Sequence, residues 1–151
     1  MYDVLLIIHS WLRYAVLVLG AWLLWESVRC LRANTLASVP GRLYAGFLGV
    51  LDLQLLIGLS LYFVFSPITA LARLDLAEAM KDPQLRFFGV EHITTMLLAV
   101  GVAHVGRVIS KRRQGRAQAK AICIAQVCWL LLTLAAIPWP GLDIARPLFR
   151  L

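Results

Sequence analysis

The sequence predicts an all-α fold: an integral membrane four-helix bundle, up-down-up-down, with a short outer-surface helix between helices two and three. Three observations predict it. The 151 residues are 61% hydrophobic with a mean hydropathy of +0.80, too apolar for a soluble domain of this length. Four stretches, Val4 to Val28, Leu43 to Phe65, Phe87 to Ile109 and Ala119 to Ile137, are each long enough to cross a hydrocarbon core, which takes roughly 20 apolar helical residues. No ten-residue segments alternate with period two as a membrane barrel requires, and only helices and closed barrels satisfy the backbone in lipid. Residues 1–151 therefore read as one transmembrane domain.

The charges set the expected orientation. Arg29, Arg32, Arg42, Arg107, Lys111, Arg112, Arg113, Arg116 and Lys120 fall at one end of the four spans. Arg13, Arg73, Lys81, Arg86, Arg146 and Arg150 fall at the other, offset by Asp3, Asp75, Glu78, Asp82, Glu91 and Asp143. The positive-inside rule then puts both termini and the loop between helices two and three outside. The net charge of +7 reads as a topology signal touching anionic lipid, and no nucleic-acid partner is expected. Cys30, Cys123 and Cys128 form no framework and read as reduced.

Helix one carries His9 and Arg13 at i, i+4 on one face, with Val16 and Gly20 continuing it. No basic residue precedes it and no small-residue cleavage pattern follows, so it reads as a retained helix rather than a secretory signal. Trp22 and Trp25 are placed to anchor its inner end. In helix two, Asp52 and Gln54 are two residues apart, about 200° around the wheel, and point to different faces. Gln54 shares the inward face with Gly58, whose lack of a side chain permits close approach. Ser66-Pro67 is a helix-start signal for a surface helix over Ile68 to Met80, which Lys81-Asp82-Pro83 ends. Helix three places His92, Met96, Ala99 and Ala103 on one stripe. His104, twelve residues further on, sits about 18 Å deeper and about 120° away, so it belongs to another site or to none. Helix four is apolar apart from Gln126 and Thr133 and stops at Pro138-Trp139-Pro140.

The chemistry concentrates in Phe87-Phe88-Gly89-Val90-Glu91-His92, where ionisable groups enter an apolar span. His9 and His92 each lie about 7.5 Å below the start of their spans, on helices that are diagonal neighbours in such a bundle. Two imidazoles at one depth can hold a metal between them, and one haem b fits best, because it needs two axial nitrogens, small residues and apolar walls. Gly58 and Ala99 would give close approach, Arg13, Arg86, Ser10 and Tyr14 would meet propionates, and Glu91 would orient an imidazole or balance Arg13. Met96 lines the same stripe. Copper or zinc on His9, His92, Met96 or Glu91, a bound quinone, or a purely structural polar network are the alternatives. Asp52, Glu91 and His104 fall on different levels and faces, which gives no continuous ion path.

The segments His9-Ser10-Trp11-Leu12-Arg13-Tyr14, Arg86 to His92, Ala103-His104-Val105-Gly106-Arg107 and Ala136-Ile137-Pro138-Trp139-Pro140 resemble those of small bacterial four-helix integral membrane proteins labelled cytochrome b-like. The resemblance covers nearly the whole chain and implies haem, electron transport and the bacterial cytoplasmic (inner) membrane. Two-haem membrane cytochromes b carry four axial histidines, whereas three histidines occur here. The expectation is therefore a membrane electron carrier with one haem b near the outer face, exchanging electrons with quinone or other membrane redox subunits. The contrasting expectation is a haem-free accessory or assembly subunit of a respiratory complex.

Overall fold

A computed structural model describes residues 1–33 and 38–145. Readings that fall on Asn34 to Ala37 of the first connector, and on Arg146 to Leu151 of the tail, lie outside the described residues. The described chain is helical, with α1 over Tyr2–Arg32, α2 over Gly41–Ser60, α3 over Pro67–Leu74, α4 over Leu76–Ala79, α5 over Pro83–Arg86, α6 over His92–Lys111 and α7 over Gly115–Ala135. Four continuous helical stretches, Tyr2–Arg32, Gly41–Phe65, Pro83–Lys111 and Gly115–Ala135, are long and apolar enough to cross a membrane. Large apolar side chains such as Val18, Leu56, Leu98 and Leu131 stand on the outside of these helices. That is the surface of a multi-pass membrane protein facing a lipid bilayer.

The long helices pack in a cycle: α1 on α2, α2 on α6, α6 on α7 and α7 back on α1. Helices α1 and α6 are thus diagonal. Within the bundle, Leu23, Tyr44, Phe47, Ala103, Ile122 and Trp129 are buried. Because lipid tails are as apolar as leucine, close packing rather than water exclusion holds such helices together. Gly20 shows how: a β-carbon there would collide with the Trp129 ring, which packs edge-on against Phe47 with centroids 4.8 Å apart. Tyr44, wholly buried, donates its hydroxyl proton to the Ala103 carbonyl at 2.7 Å and ties α2 to α6.

The segment between the second and third spans departs from the single helix expected over 68–80. Ser66 does cap α3 through the Thr69 amide, with Pro67 in the first turn. At Asp75 the chain turns extended, and the Asp75 carboxylate caps a new start by accepting from the Glu78 amide at 3.0 Å. Asp82 repeats the device for α5, accepting from the Leu85 amide at 2.8 Å. Each Asp accepts from the amide three residues on and caps a new helix start, and at Asp82 the following Pro83 also holds the backbone extended. The third span consequently begins at Pro83, earlier than expected.

Two π-helical turns flank these short helices, at Leu61–Phe65 and Phe87–Glu91. Such turns displace backbone carbonyls from the regular ladder and concentrate at functional sites. Here the displaced groups are met by side chains. Thr69 donates to the Tyr62 carbonyl at 2.7 Å, Arg73 reaches the Tyr62 and Phe63 carbonyls, and the Tyr62 hydroxyl donates to the Gly89 carbonyl at 2.9 Å. The two π turns are thereby locked to each other immediately beside His92.

Candidate functional site

His9 from α1 and His92 at the start of α6 meet inside the bundle with ring centroids 6.5 Å apart and planes inclined at 69°. They line a cavity of about 180 Å³ whose walls include Arg13, Gln54, Gly58, Met96 and Thr133.

The placement of His92 follows from the end of α7. A helical carbonyl normally accepts from the amide four residues on, but proline has no N–H to give. Pro138 leaves the Leu134 carbonyl without its regular donor, and the Ala136 carbonyl lies past the last residue of α7, where no helical amide follows it. Ring N–H groups serve both: Trp139 Nε1 donates to the Leu134 carbonyl at 2.9 Å and His92 Nδ1 to the Ala136 carbonyl at 2.8 Å. A carbonyl can only accept, so His92 Nδ1 carries the proton. In the neutral ring Nε2 then holds the lone pair, the arrangement usual for a ligating histidine oriented by a backbone carbonyl.

His9 is placed by helix two. Its ring lies over Gly58, where a β-carbon would come within 3.0 Å of the imidazole Cε1. One turn away, the Gln54 amide nitrogen donates to the His9 carbonyl at 3.0 Å and lies 3.3 Å from His9 Nε2. His9 Nδ1, Gln54 Oε1 and Thr133 Oγ1 are buried without hydrogen-bond partners, all around the same cavity. Leaving a buried polar group unmatched costs on the order of 1–3 kcal/mol. Three such atoms belong to residues that line one cavity.

The spacing of the two rings suits a metal held between them. Imidazoles bound end-on to one ion at about 2.0–2.1 Å set their centres roughly 6–6.5 Å apart, which is the observed spacing. Ligation through His9 Nδ1 needs the proton on Nε2, whereas the Gln54 amide nitrogen, held by the His9 carbonyl, meets Nε2 as a donor and places the proton on Nδ1, so a ligating His9 has to break its contact with Gln54. Among the described residues no group of three or more His, Cys, Asp or Glu side chains forms a metal cage. Two axial nitrogens alone suit a ligand that brings its own equatorial donors.

The remaining expected site residues divide. Arg13 and Met96 line the cavity, and Gly58 admits the His9 ring itself. Tyr14 accepts from Arg13 Nη2 at 3.2 Å, with the guanidinium 4.9 Å from its ring centre. Arg86 and Glu91 form an ion pair at 2.8 Å with both side chains near half-exposed, and neither lines the cavity. Ala99 lies in the packed core. Gln54, on the face expected to point inward, does so. Thr133 and the Ala136 carbonyl were not expected at the site, although a lone threonine in an apolar helix and two closely spaced prolines are visible in the sequence.

A correction concerns the other histidine. Asp52 and His104, placed by helical spacing alone on different levels and faces, are hydrogen-bonded at 2.8 Å across α2 and α6. Their side chains are 44% and 46% exposed and point away from the His9 and His92 cavity. Spacing within one helix fixes a residue's depth relative to its own span; the pairing depends on how the two spans slide past each other.

Scans against family models, curated proteins and solved structures return no match to this chain.

Proposed function

We propose that this protein is a membrane electron-transfer protein that binds one haem b between His9 and His92. The observation that carries the reading is the approach of two imidazoles from diagonal helices to 6.5 Å, each with one ring nitrogen lacking a protein partner. Haem would supply a one-electron iron couple. The chain's own residues bind and orient: the Ala136 carbonyl fixes the His92 tautomer, Gly58 seats His9, and Arg13 offers a cation to a propionate. Tyr62, Thr69 and Phe88 close the cavity from the side of α3, limiting water entry to the site.

In this reading the spans run up-down-up-down in a bacterial cytoplasmic membrane, with both termini and helices α3 to α5 outside. The basic segment Lys111 to Arg116 then marks the inner face. Quinone and larger membrane redox subunits are the partners such a carrier would serve. The test is a reduced-minus-oxidised absorption spectrum of protein purified from haem-replete cells. Soret and α bands that vanish in the His9→Ala, His92→Ala double variant are expected; their absence from wild-type protein sinks the proposal.

One observation favours a second reading. Thr133 Oγ1 is unpartnered beside the imidazoles, and a carbonyl oxygen, such as that of a quinone headgroup, would accept from this hydroxyl. Quinone retention without haem bands, lost in His9→Ala, would select it.

A further inference from the structure

The Asp52 and His104 pair has no role in the cavity, yet it lies within two membrane-spanning stretches, Gly41–Phe65 and Pro83–Lys111, and faces outward from the bundle. Polar and ionisable side chains in the hydrocarbon almost always face protein or water, because lipid tails offer no hydrogen bond. The pair uses one nitrogen of His104 and one oxygen of Asp52 on each other, leaving Asp52 Oδ2 as an acceptor and His104 Nδ1, a donor in the imidazolium form that balances the carboxylate, for an external partner. Both helices are also thinned beside it. Gly49 and Gly101, one turn from Asp52 and His104 respectively, are exposed, and a β-carbon at either would meet nothing within 4 Å. A neighbouring helix can therefore come close at this place.

We propose that this face is the interface of a homodimer in which Asp52 of each copy pairs with His104 of the other. Symmetry selects a second copy as the occupant. Two copies inserted with the same orientation are related by a twofold axis along the membrane normal, which keeps every residue at the depth of its counterpart. Since α2 and α6 lie side by side, that rotation sets α2 of one copy opposite α6 of the other. The acceptor of each copy then faces the imidazole of its neighbour at matching depth, twice over. An unrelated partner would have to present the complementary pair at the same depth by coincidence.

The experiment measures self-association of fluorophore-labelled full-length protein by energy transfer in vesicles, as a function of protein-to-lipid ratio. Wild type is expected to dimerise. Asp52→Leu and His104→Leu, each alone, are expected to weaken association about tenfold, whereas an equimolar mixture of the two recovers transfer between unlike chains. In the mixed pair one His104 still faces one Asp52, and two leucines face each other. Gly49→Leu, which fills space that is open in the single chain, is expected to weaken association while leaving the helical circular dichroism unchanged. Wild-type protein that stays monomeric at high density would overturn the proposal. So would a mixture showing no preference for unlike pairs, or a Gly49→Leu protein that associates as wild type does.

Discussion

His92 and His104 occupy the same helix, twelve residues apart, and live in opposite worlds. His92 turns inward, donates to the Ala136 carbonyl and shares a cavity with His9. His104 turns outward and meets Asp52 on the bundle surface. A rotation of about 120° along one helix separates them, and it turns a cavity-lining imidazole into one that offers a polar contact to the outside. The comparison shows that an intramembrane histidine cannot be assigned from its presence alone. What matters is the donor or acceptor that meets each nitrogen, and on which side of the helix.

The largest effect that tests this comparison is on cofactor content. His92→Ala is expected to remove haem absorbance entirely, while His104→Ala leaves the band positions and the haem-to-protein ratio at wild-type values. Equal loss in both variants would erase the distinction between the sites. Next in size is a matched pair on α2. Gly58→Leu drives a side chain into the His9 ring and is expected to destabilise the protein by about 1–3 kcal/mol, as overpacking does. Gly49→Leu enters open space and removes a glycine from the interior of α2, so it is expected to leave monomer stability unchanged or raise it by up to about 1 kcal/mol. Unfolding by denaturant in detergent micelles, below the concentration at which chains associate, measures both.

The smallest is Asp52→Asn, which keeps an acceptor for His104 and is expected to alter stability by no more than about 1 kcal/mol, in contrast to Asp52→Leu.

Much of the fold is legible along the chain. The four apolar runs, the Ser66-Pro67 start and the inward face of Gln54 follow from local length, capping and the helical period, all of which are written in consecutive residues. The split of the outer segment at Asp75 is less so, since an aspartate at the middle of an apolar helix and one at a cap look alike until the backbone around it is seen. The candidate site was half visible. His9 and His92 stood out as ionisable groups at matched depth, and Arg13, Gly58 and Met96 line or shape the cavity around them. Arg86 and Glu91 did not join them, because the π turn over Phe87–Glu91 rotates the residues before His92 and Arg86 takes the Glu91 carboxylate for itself.

The sequence by itself determined that this chain enters the membrane as helices, roughly where its four apolar spans lie, and which side chains share a face, because hydropathy, prolines and caps act over a few residues. Only the tertiary structure decided which faces meet. The His92 bond to the Ala136 carbonyl, the His9 ring over Gly58, and the Asp52 bond to His104 each join residues more than forty positions apart. Such pairings depend on the rotation and sliding of whole helices, which are fixed by side-chain packing across the bundle and by no local signal.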